Sequence, residues 1–145
     1  MLENVLTILI GILGGVAVGT QASVAGQMSR RVGGTATSFI VHLGGALLSG
    51  VLLIARGGER IQEWRRLPWY MLASGAFGVV LYLTLSRTIP RFGATTALVL
   101  LLVGQLLTGM LLDHFGLFGL VTRALDGWRV VGALLLLAGA YLMVH

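Results

Sequence analysis

The feature that most constrains this chain is a stretch from Phe92 to Leu112 that carries no charged residue. A helix rises about 1.5 Å per residue, so about 20 apolar residues cross the roughly 30 Å hydrocarbon layer of a bilayer. Arg91 precedes the stretch and Asp113 follows it, which places a charge at each end. The pattern predicts a membrane-spanning helix, whose peptide groups must be hydrogen-bonded within the helix itself.

Similar charge-free stretches occur before and after this one. Only 10% of the residues are charged and the mean hydropathy is +0.95, whereas soluble domains carry about 25% charged residues. We therefore predict an all-α integral membrane protein with five transmembrane helices per protomer, forming a single transmembrane domain over residues 1–145. The predicted helices cover about residues 4–28, 35–55, 68–86, 93–112 and 128–144.

The charged residues and the absence of cysteine exclude several classes of protein. All ten basic residues are arginines that lie between the apolar stretches, so they form no clustered face for nucleic acid. Without cysteine there is no disulfide and no thiol chemistry. Asp113 and His114 are adjacent, and adjacent residues on a helix point about 100° apart, which does not suit a metal pair. We expect no metal, no cofactor and no nucleic-acid partner.

The second predicted helix carries a polar stripe with the spacing of one helical face: Ser38, His42, Gly45 and Ser49. His42 lies near the middle of its apolar stretch, where an ionisable side chain is costly and generally faces a helix bundle or a wet cavity. One interpretation is a neutral histidine bonded to Ser38 or to a carbonyl group. The other is a group that contacts a solute and couples its movement to protons.

Three further side chains are candidates for contact with a solute. Gln105 lies in the middle of the fourth predicted helix, and Gln21 lies off-centre in the first. Each amide either hydrogen-bonds a neighbouring helix or lines a cavity. Tyr82 shares a face of the third helix with Gly78, and either packs or binds a solute. Asp113 is either an interfacial cap or a second proton-coupling group beside His42.

Small residues recur on the first and last predicted helices. Gly11, Gly15 and Gly19 are spaced by four, which forms a ridge that another helix can approach closely. The last helix carries a similar series with spacings of four, three and four: Gly132, Leu136, Gly139 and Met143. We interpret this second series as a seam for one partner helix.

The arginines give a weak signal for orientation. With five spans, six of the ten arginines lie on the side of the N-terminus and four on the other. Because orientation follows the excess of basic residues in short loops, this near balance favours insertion in both orientations. The alternative is a single orientation with the arginine-rich loop after the second helix inside. Oppositely inserted copies can pair about an axis in the membrane plane.

Several segments resemble the YdcZ-type half-size branch of the drug/metabolite transporter superfamily. The segment GATTALVLLLVGQLLTGMLLDHFG is similar to the fourth helix of that branch, and the region around Gln21 is similar to its first. The segment VVGALLLLAGAYLM resembles the dimer-forming last helix of small multidrug resistance proteins. The chain departs from the branch after Gln21, where Ala25, Gly26 and Gln27 stand in place of a frequent Asn.

The resemblance implies a five-helix protomer that pairs as an antiparallel homodimer of ten helices in the bacterial inner membrane. A secondary transporter of a small organic solute also explains the balanced arginines and the polar faces. We expect a shared cavity lined by Gln21, His42, Tyr82 and Gln105, with the lipid bilayer and a second copy as the partners. The alternatives are a small dual-topology ion channel and a membrane scaffold or accessory subunit. An enzyme is not expected, because no catalytic set is assembled within a span.

Overall fold

A computed structural model of the protein describes residues 2–144. Its α-helices are α1 (Leu2–Val32), α2 (Gly34–Ala55), the short α3 (Trp69–Leu72), α4 (Gly75–Phe115) and α5 (Gly127–Val144). Two 3₁₀ turns, Ile61–Arg66 and Leu117–Gly119, lie in the connections. Residues 2–144 contain no strand, which confirms the all-α prediction. Two compact units divide between Pro90 and Arg91.

Four helical stretches are long and apolar enough to cross a membrane: Leu2–Val32, Gly34–Ala55, Trp69–Phe115 and Gly127–Val144. The third of these has 47 residues and contains both the third and the fourth predicted helices. The structure therefore has four spanning candidates among the described residues where the sequence predicts five spans.

The interruption in α4 lies later than the sequence predicts. The predicted helices leave residues 87–92 as the connection between the third and the fourth, but Pro90 lies inside α4 and the non-helical residue is Gly93. A proline inside a helix removes one N–H from the helical ladder and kinks the helix, whereas a backbone φ of 81° lies outside the helical region altogether. Glycine reaches that φ without a steric penalty.

The interruption at Gly93 repeats the connection between α1 and α2. Gly33 has φ 85° and ψ 160°, and Gly93 has φ 81° and ψ 166°, a region that is essentially restricted to glycine. An arginine stands two residues before each glycine and a threonine two residues after it (Arg31, Thr35, Arg91, Thr95). Buried positions recur with the same offset: Ala22 and Tyr82, Ala25 and Leu85, Thr37 and Ala97. The two segments share this short motif and the backbone conformation of the turn.

In the unit that precedes Arg91, helices approach through residues that lack side chains. A β-carbon on Gly26 would lie 2.5 Å from Ile89 Cδ1 and 2.8 Å from its Cγ2. A β-carbon on Gly34 would lie 2.5 Å from Ser86 Oγ. Without a hydrophobic drive between helices in lipid, such close contacts supply van der Waals attraction. These glycines therefore hold α1, α2 and the first part of α4 together.

The Gly11 and Gly15 part of the glycine ridge predicted on α1 meets no other helix among residues 2–144. A β-carbon on Gly11 or Gly15 would have no neighbour within 4 Å. Large apolar side chains beside them, such as Ile12 and Val16, are 59% exposed. The ridge stays a prediction for the approach of another helix.

In the unit that begins at Arg91, α5 runs antiparallel to the second part of α4. Thr96 Oγ1 donates a hydrogen bond to the Met143 carbonyl at 3.0 Å, near one end of the pair. Near the other end, Arg129 Nη1 lies 3.7 Å from Asp113 Oδ2. Ala133 and Ala140, seven residues apart on α5, are buried. Small side chains thus form the packed face of α5.

We expect Gly93→Ala to lower the free energy of unfolding in detergent by about 1–3 kcal/mol, because alanine is strained at this backbone conformation. Gly104→Ala is the matched control, since Gly104 lies within helical α4 and a β-carbon there meets nothing within 4 Å. Denaturant titration followed by circular dichroism measures both. Equal stabilities of the two variants would contradict the role of Gly93.

Candidate functional site

The imidazole of His42 is held by its own helix. Nδ1 lies 2.6 Å from the Ser38 carbonyl oxygen and 3.3 Å from Ser38 Oγ. Because a carbonyl oxygen only accepts hydrogen bonds, Nδ1 carries the hydrogen and donates it. In the neutral ring, Nε2 is therefore the nitrogen with a free lone pair. The bond orients the ring and leaves its proton-accepting atom pointing away from α2.

The other side of the His42 ring contacts the first part of α4. A β-carbon on Gly78 would overlap His42 Nε2 and would lie 3.1 Å from Cε1. The Tyr82 ring, one turn further along, meets the imidazole edge to face with centroids 5.5 Å apart and planes at 84°. Tyr82 is buried while His42 is exposed. The His42 ring therefore lies in a half-open pocket and is accessible from one side.

The polar stripe predicted on α2 divides into two parts. Ser38 and its neighbour Thr37 are almost completely buried, at 2% and 1% exposure. Ser49 is exposed, and its hydroxyl donates to the Gly45 carbonyl of its own helix at 2.8 Å. Only the Ser38 end of the stripe therefore packs within the protomer.

Gln21 and Gln105 lie on different helices and are both exposed. Gln21 lies on α1 next to buried Ala22, and Gln105 lies in the second part of α4. Both residues are exposed, and neither side chain hydrogen-bonds another group within residues 2–144. The described part of this chain therefore supplies no hydrogen-bond partner on a neighbouring helix for either amide.

A groove of about 620 Å³ runs between the second part of α4 and α5. Its polar lining residues are Gln105, Asp113 and Arg129. Asp113 is half-buried in the ion pair with Arg129, and its backbone carbonyl accepts a hydrogen bond from the Arg123 amide at 2.9 Å. Asp113 thus connects the end of α4 to the start of α5, and it also lines the groove.

The four residues predicted as a dimer seam divide between two surroundings. Gly132 and Leu136 line the groove. A β-carbon on Gly139 would have no neighbour within 4 Å, and Met143 is 46% exposed. The seam therefore stays a prediction, with its Gly139 and Met143 end open in the protomer.

Sequence reasoning did not predict the ion pair of Arg129 with Asp113. A signal was present: Asp126 stands three residues before it, and Asp126 Oδ1 accepts the Arg129 amide at 2.8 Å as a helix cap. This cap fixes where α5 begins, so that Arg129 lies in its first turn, close to Asp113. Among residues 2–144, no three His, Asp or Glu side chains lie close enough to hold a metal ion.

Comparison with known proteins gives a consistent family assignment. Residues 6–142 match a family model, DMT_YdcZ, described as "Putative inner membrane exporter, YdcZ". The chain is similar to the inner membrane protein YdcZ of Escherichia coli (strain K12), with 33% identity over 88 residues. That match covers 61% of this chain and 56% of the relative, so it spans little more than half of the curated protein. No solved structure matches the chain.

We expect Gly78→Ala to displace the His42 ring, because the added methyl group would occupy the space of Nε2. Overpacking of this kind costs about 1–3 kcal/mol of unfolding free energy. Gly75→Ala is the control on the same helix, where a β-carbon has no neighbour within 4 Å. Histidine ring NMR shifts and denaturant titration check the pair. An unmoved His42 signal in Gly78→Ala would contradict the packing.

Proposed function

Since this chain belongs to the DMT_YdcZ family, we propose that it is a secondary transporter that moves a small organic solute by alternating access in an antiparallel homodimer. It is a multi-pass inner membrane protein, as its helices and its relative indicate. The observation that carries the proposal is that Gln21 and Gln105, both on membrane-spanning helices, are exposed and have no hydrogen-bond partner within residues 2–144. An amide facing hydrocarbon without a partner is costly, so each needs a second copy or a solute.

Five crossings of the membrane fit the length of the third helical stretch. A helix of 47 residues would be about 70 Å long at 1.5 Å per residue, more than twice the roughly 30 Å hydrocarbon layer. Gly93 interrupts that helix near its middle, which divides it into two parts of spanning length. In this proposal each part crosses the membrane once, and the two termini lie on opposite sides.

An antiparallel pair is supported by the open small-residue surfaces of the protomer. Gly11 and Gly15 on α1 and Gly139 on α5 have no neighbouring atoms at the β-carbon position. Small residues in lipid let helices of another chain approach closely. In the proposed dimer the last helices meet along the predicted seam, and the near balance of arginines permits the opposite insertion of the two copies.

His42 is the proposed proton-coupling group of the shared cavity. Its Nδ1 is occupied by the Ser38 carbonyl, so a proton taken from the cavity would bind at Nε2. Gly78 and Tyr82 hold the ring at that position. The proposed solute site combines His42 and Tyr82 with Gln21 and Gln105, and the two copies rock around it.

Dual insertion is tested with the chain's natural lack of cysteine. We expect single cysteines in the Asn4→Cys and Val144→Cys proteins to be labelled in comparable amounts by impermeant maleimide from either side of the membrane. A single orientation would give labelling of each position from one side only, and would remove the antiparallel homodimer. The cysteine-free protein is the background control.

Transport is tested in proteoliposomes with a panel of labelled neutral and zwitterionic metabolites. We expect saturable uptake with counterflow, and a rate that changes between about pH 5 and pH 8, the range in which histidine ordinarily changes charge. The His42→Gln protein should lose that pH dependence. His114→Gln is the control, because His114, in the last turn of α4, accepts a backbone N–H from Leu125 and is not one of the proposed cavity residues. Unsaturable conductance would identify a channel instead.

A further inference from the structure

The groove between α4 and α5 is open because two glycines form part of its lining. Gly109 on α4 and Gly132 on α5 both line it, and a β-carbon at either position would meet no neighbour within 4 Å. The remaining apolar lining comes from Leu102, Leu106, Met110, Ala133 and Leu136. Its volume of about 620 Å³ lies in the range of sites for small molecules.

One end of the groove holds two opposite charges that are only loosely joined. The 3.7 Å between Arg129 Nη1 and Asp113 Oδ2 is longer than a hydrogen bond. The side chains are 30% and 38% exposed, so each can be reached by another group. A guanidinium has five N–H donors and a carboxylate accepts several bonds, so both retain unused hydrogen-bonding capacity.

We propose that this groove binds a zwitterionic amphiphile, a molecule whose head carries an ammonium and an acidic group and whose body is apolar. The ammonium would bind Asp113 and the acidic group would bind Arg129, so that each charge exchanges one opposite partner for another. A ligand with a single charge would leave either Asp113 or Arg129 without its partner in a half-buried place, which is unfavourable. Charge complementarity therefore selects the zwitterion.

The position of Gln105 defines the far end of the ligand. Gln105 and Asp113 are eight positions apart on a helix, which places them about 12 Å apart along its axis. Leu106, Gly109 and Met110 lie on the groove between them. An apolar body of up to about that length fits between the ion pair and the amide. This inference goes beyond the proposed transport function, because the groove shares Gln105 with the proposed solute site but not Gln21, His42 or Tyr82.

Two sources supply this chemistry: free amino acids with an apolar side chain, and zwitterionic phospholipids of the bilayer. The experiment therefore uses protein in a detergent that contains no phospholipid, with 2-aminooctanoic acid as the probe. Lysophosphatidylethanolamine is the competitor. Binding of the probe that the competitor does not displace indicates a free solute as the source, and displacement indicates a lipid headgroup; both outcomes support the zwitterion site.

The selectivity of the site is measured with two analogues that share the same chain. Octanoic acid lacks the ammonium group, and heptylamine lacks the carboxylate. Since hydrogen bonds to charged groups are the stronger ones, we expect calorimetry to show 2-aminooctanoic acid binding at least about tenfold more tightly than either analogue. Equal affinities for the three compounds would overturn the proposal.

Variants of the ion pair should change this preference in opposite directions. The Asp113→Asn protein should bind octanoic acid as tightly as the zwitterion, because only the cationic partner remains. The Arg129→Gln protein should do the same for heptylamine. Retained binding of one analogue shows that each variant is folded. A zwitterion preference that survives in both variants would remove the ion pair from the site.

Blocking the groove provides a test that leaves the charges in place. Gly109→Leu should fill the groove and reduce zwitterion binding at least about tenfold, because the side chain would occupy the space of the ligand. Gly104→Leu is the matched control: it lies five residues earlier on α4 with equally open space, but it does not line the groove, and neither glycine belongs to the predicted dimer seam. Unchanged binding in Gly109→Leu would contradict the site.

Failure of this inference and failure of the transport function give different results. If uptake with counterflow occurs while groove variants bind and transport like the unaltered protein, the protein is a transporter whose solute binds elsewhere, and only this inference fails. If the zwitterion binds with the expected selectivity but no solute crosses the membrane, the groove stands and the transport proposal fails.

Discussion

The fold depends on one constraint: within hydrocarbon, each peptide group must find its hydrogen-bond partner inside its own helix. Changes of chain direction are therefore confined to short breaks that cost few hydrogen bonds. Gly33 and Gly93 provide two such breaks with nearly the same backbone angles, each in a single residue. The arginines at positions 31 and 91 precede both breaks. A short repeated motif thus determines where two of the helical stretches begin.

The same absence of side chains that permits the turns also permits the packing. Gly26 and Gly34 bring helices close enough for direct contact, and Gly78 makes room for the ring of His42. A histidine in an apolar helix is energetically unfavourable, and the hydrogen bond from its Nδ1 to the Ser38 carbonyl offsets part of that unfavourable energy. The other ring nitrogen keeps its lone pair. Close helix packing and the placement of the His42 ring therefore arise from one arrangement of small residues.

Within the described residues, the charges of Asp113 and Arg129 are paired, whereas two amides in spanning helices are not. Asp113 and Arg129 neutralise each other between two helices, and Asp126 caps the helix on which Arg129 lies. Gln21 and Gln105, in contrast, have no hydrogen-bond partner within residues 2–144. In the proposed transporter these two amides are the groups available to a solute or to a second copy.

The sequence by itself determined the class of fold and the polar faces, because helical periodicity and the length of a hydrocarbon crossing are local properties. The stripe that contains Ser38 and His42, and the face that contains Gly78 and Tyr82, could both be predicted from spacing alone. Only the tertiary structure decided that these two faces meet, that α4 continues through Pro90 to Gly93, and that Arg129 pairs with Asp113. These contacts join residues far apart along the chain, where periodicity places each residue on a helix face but carries no information about which face of another helix it will touch.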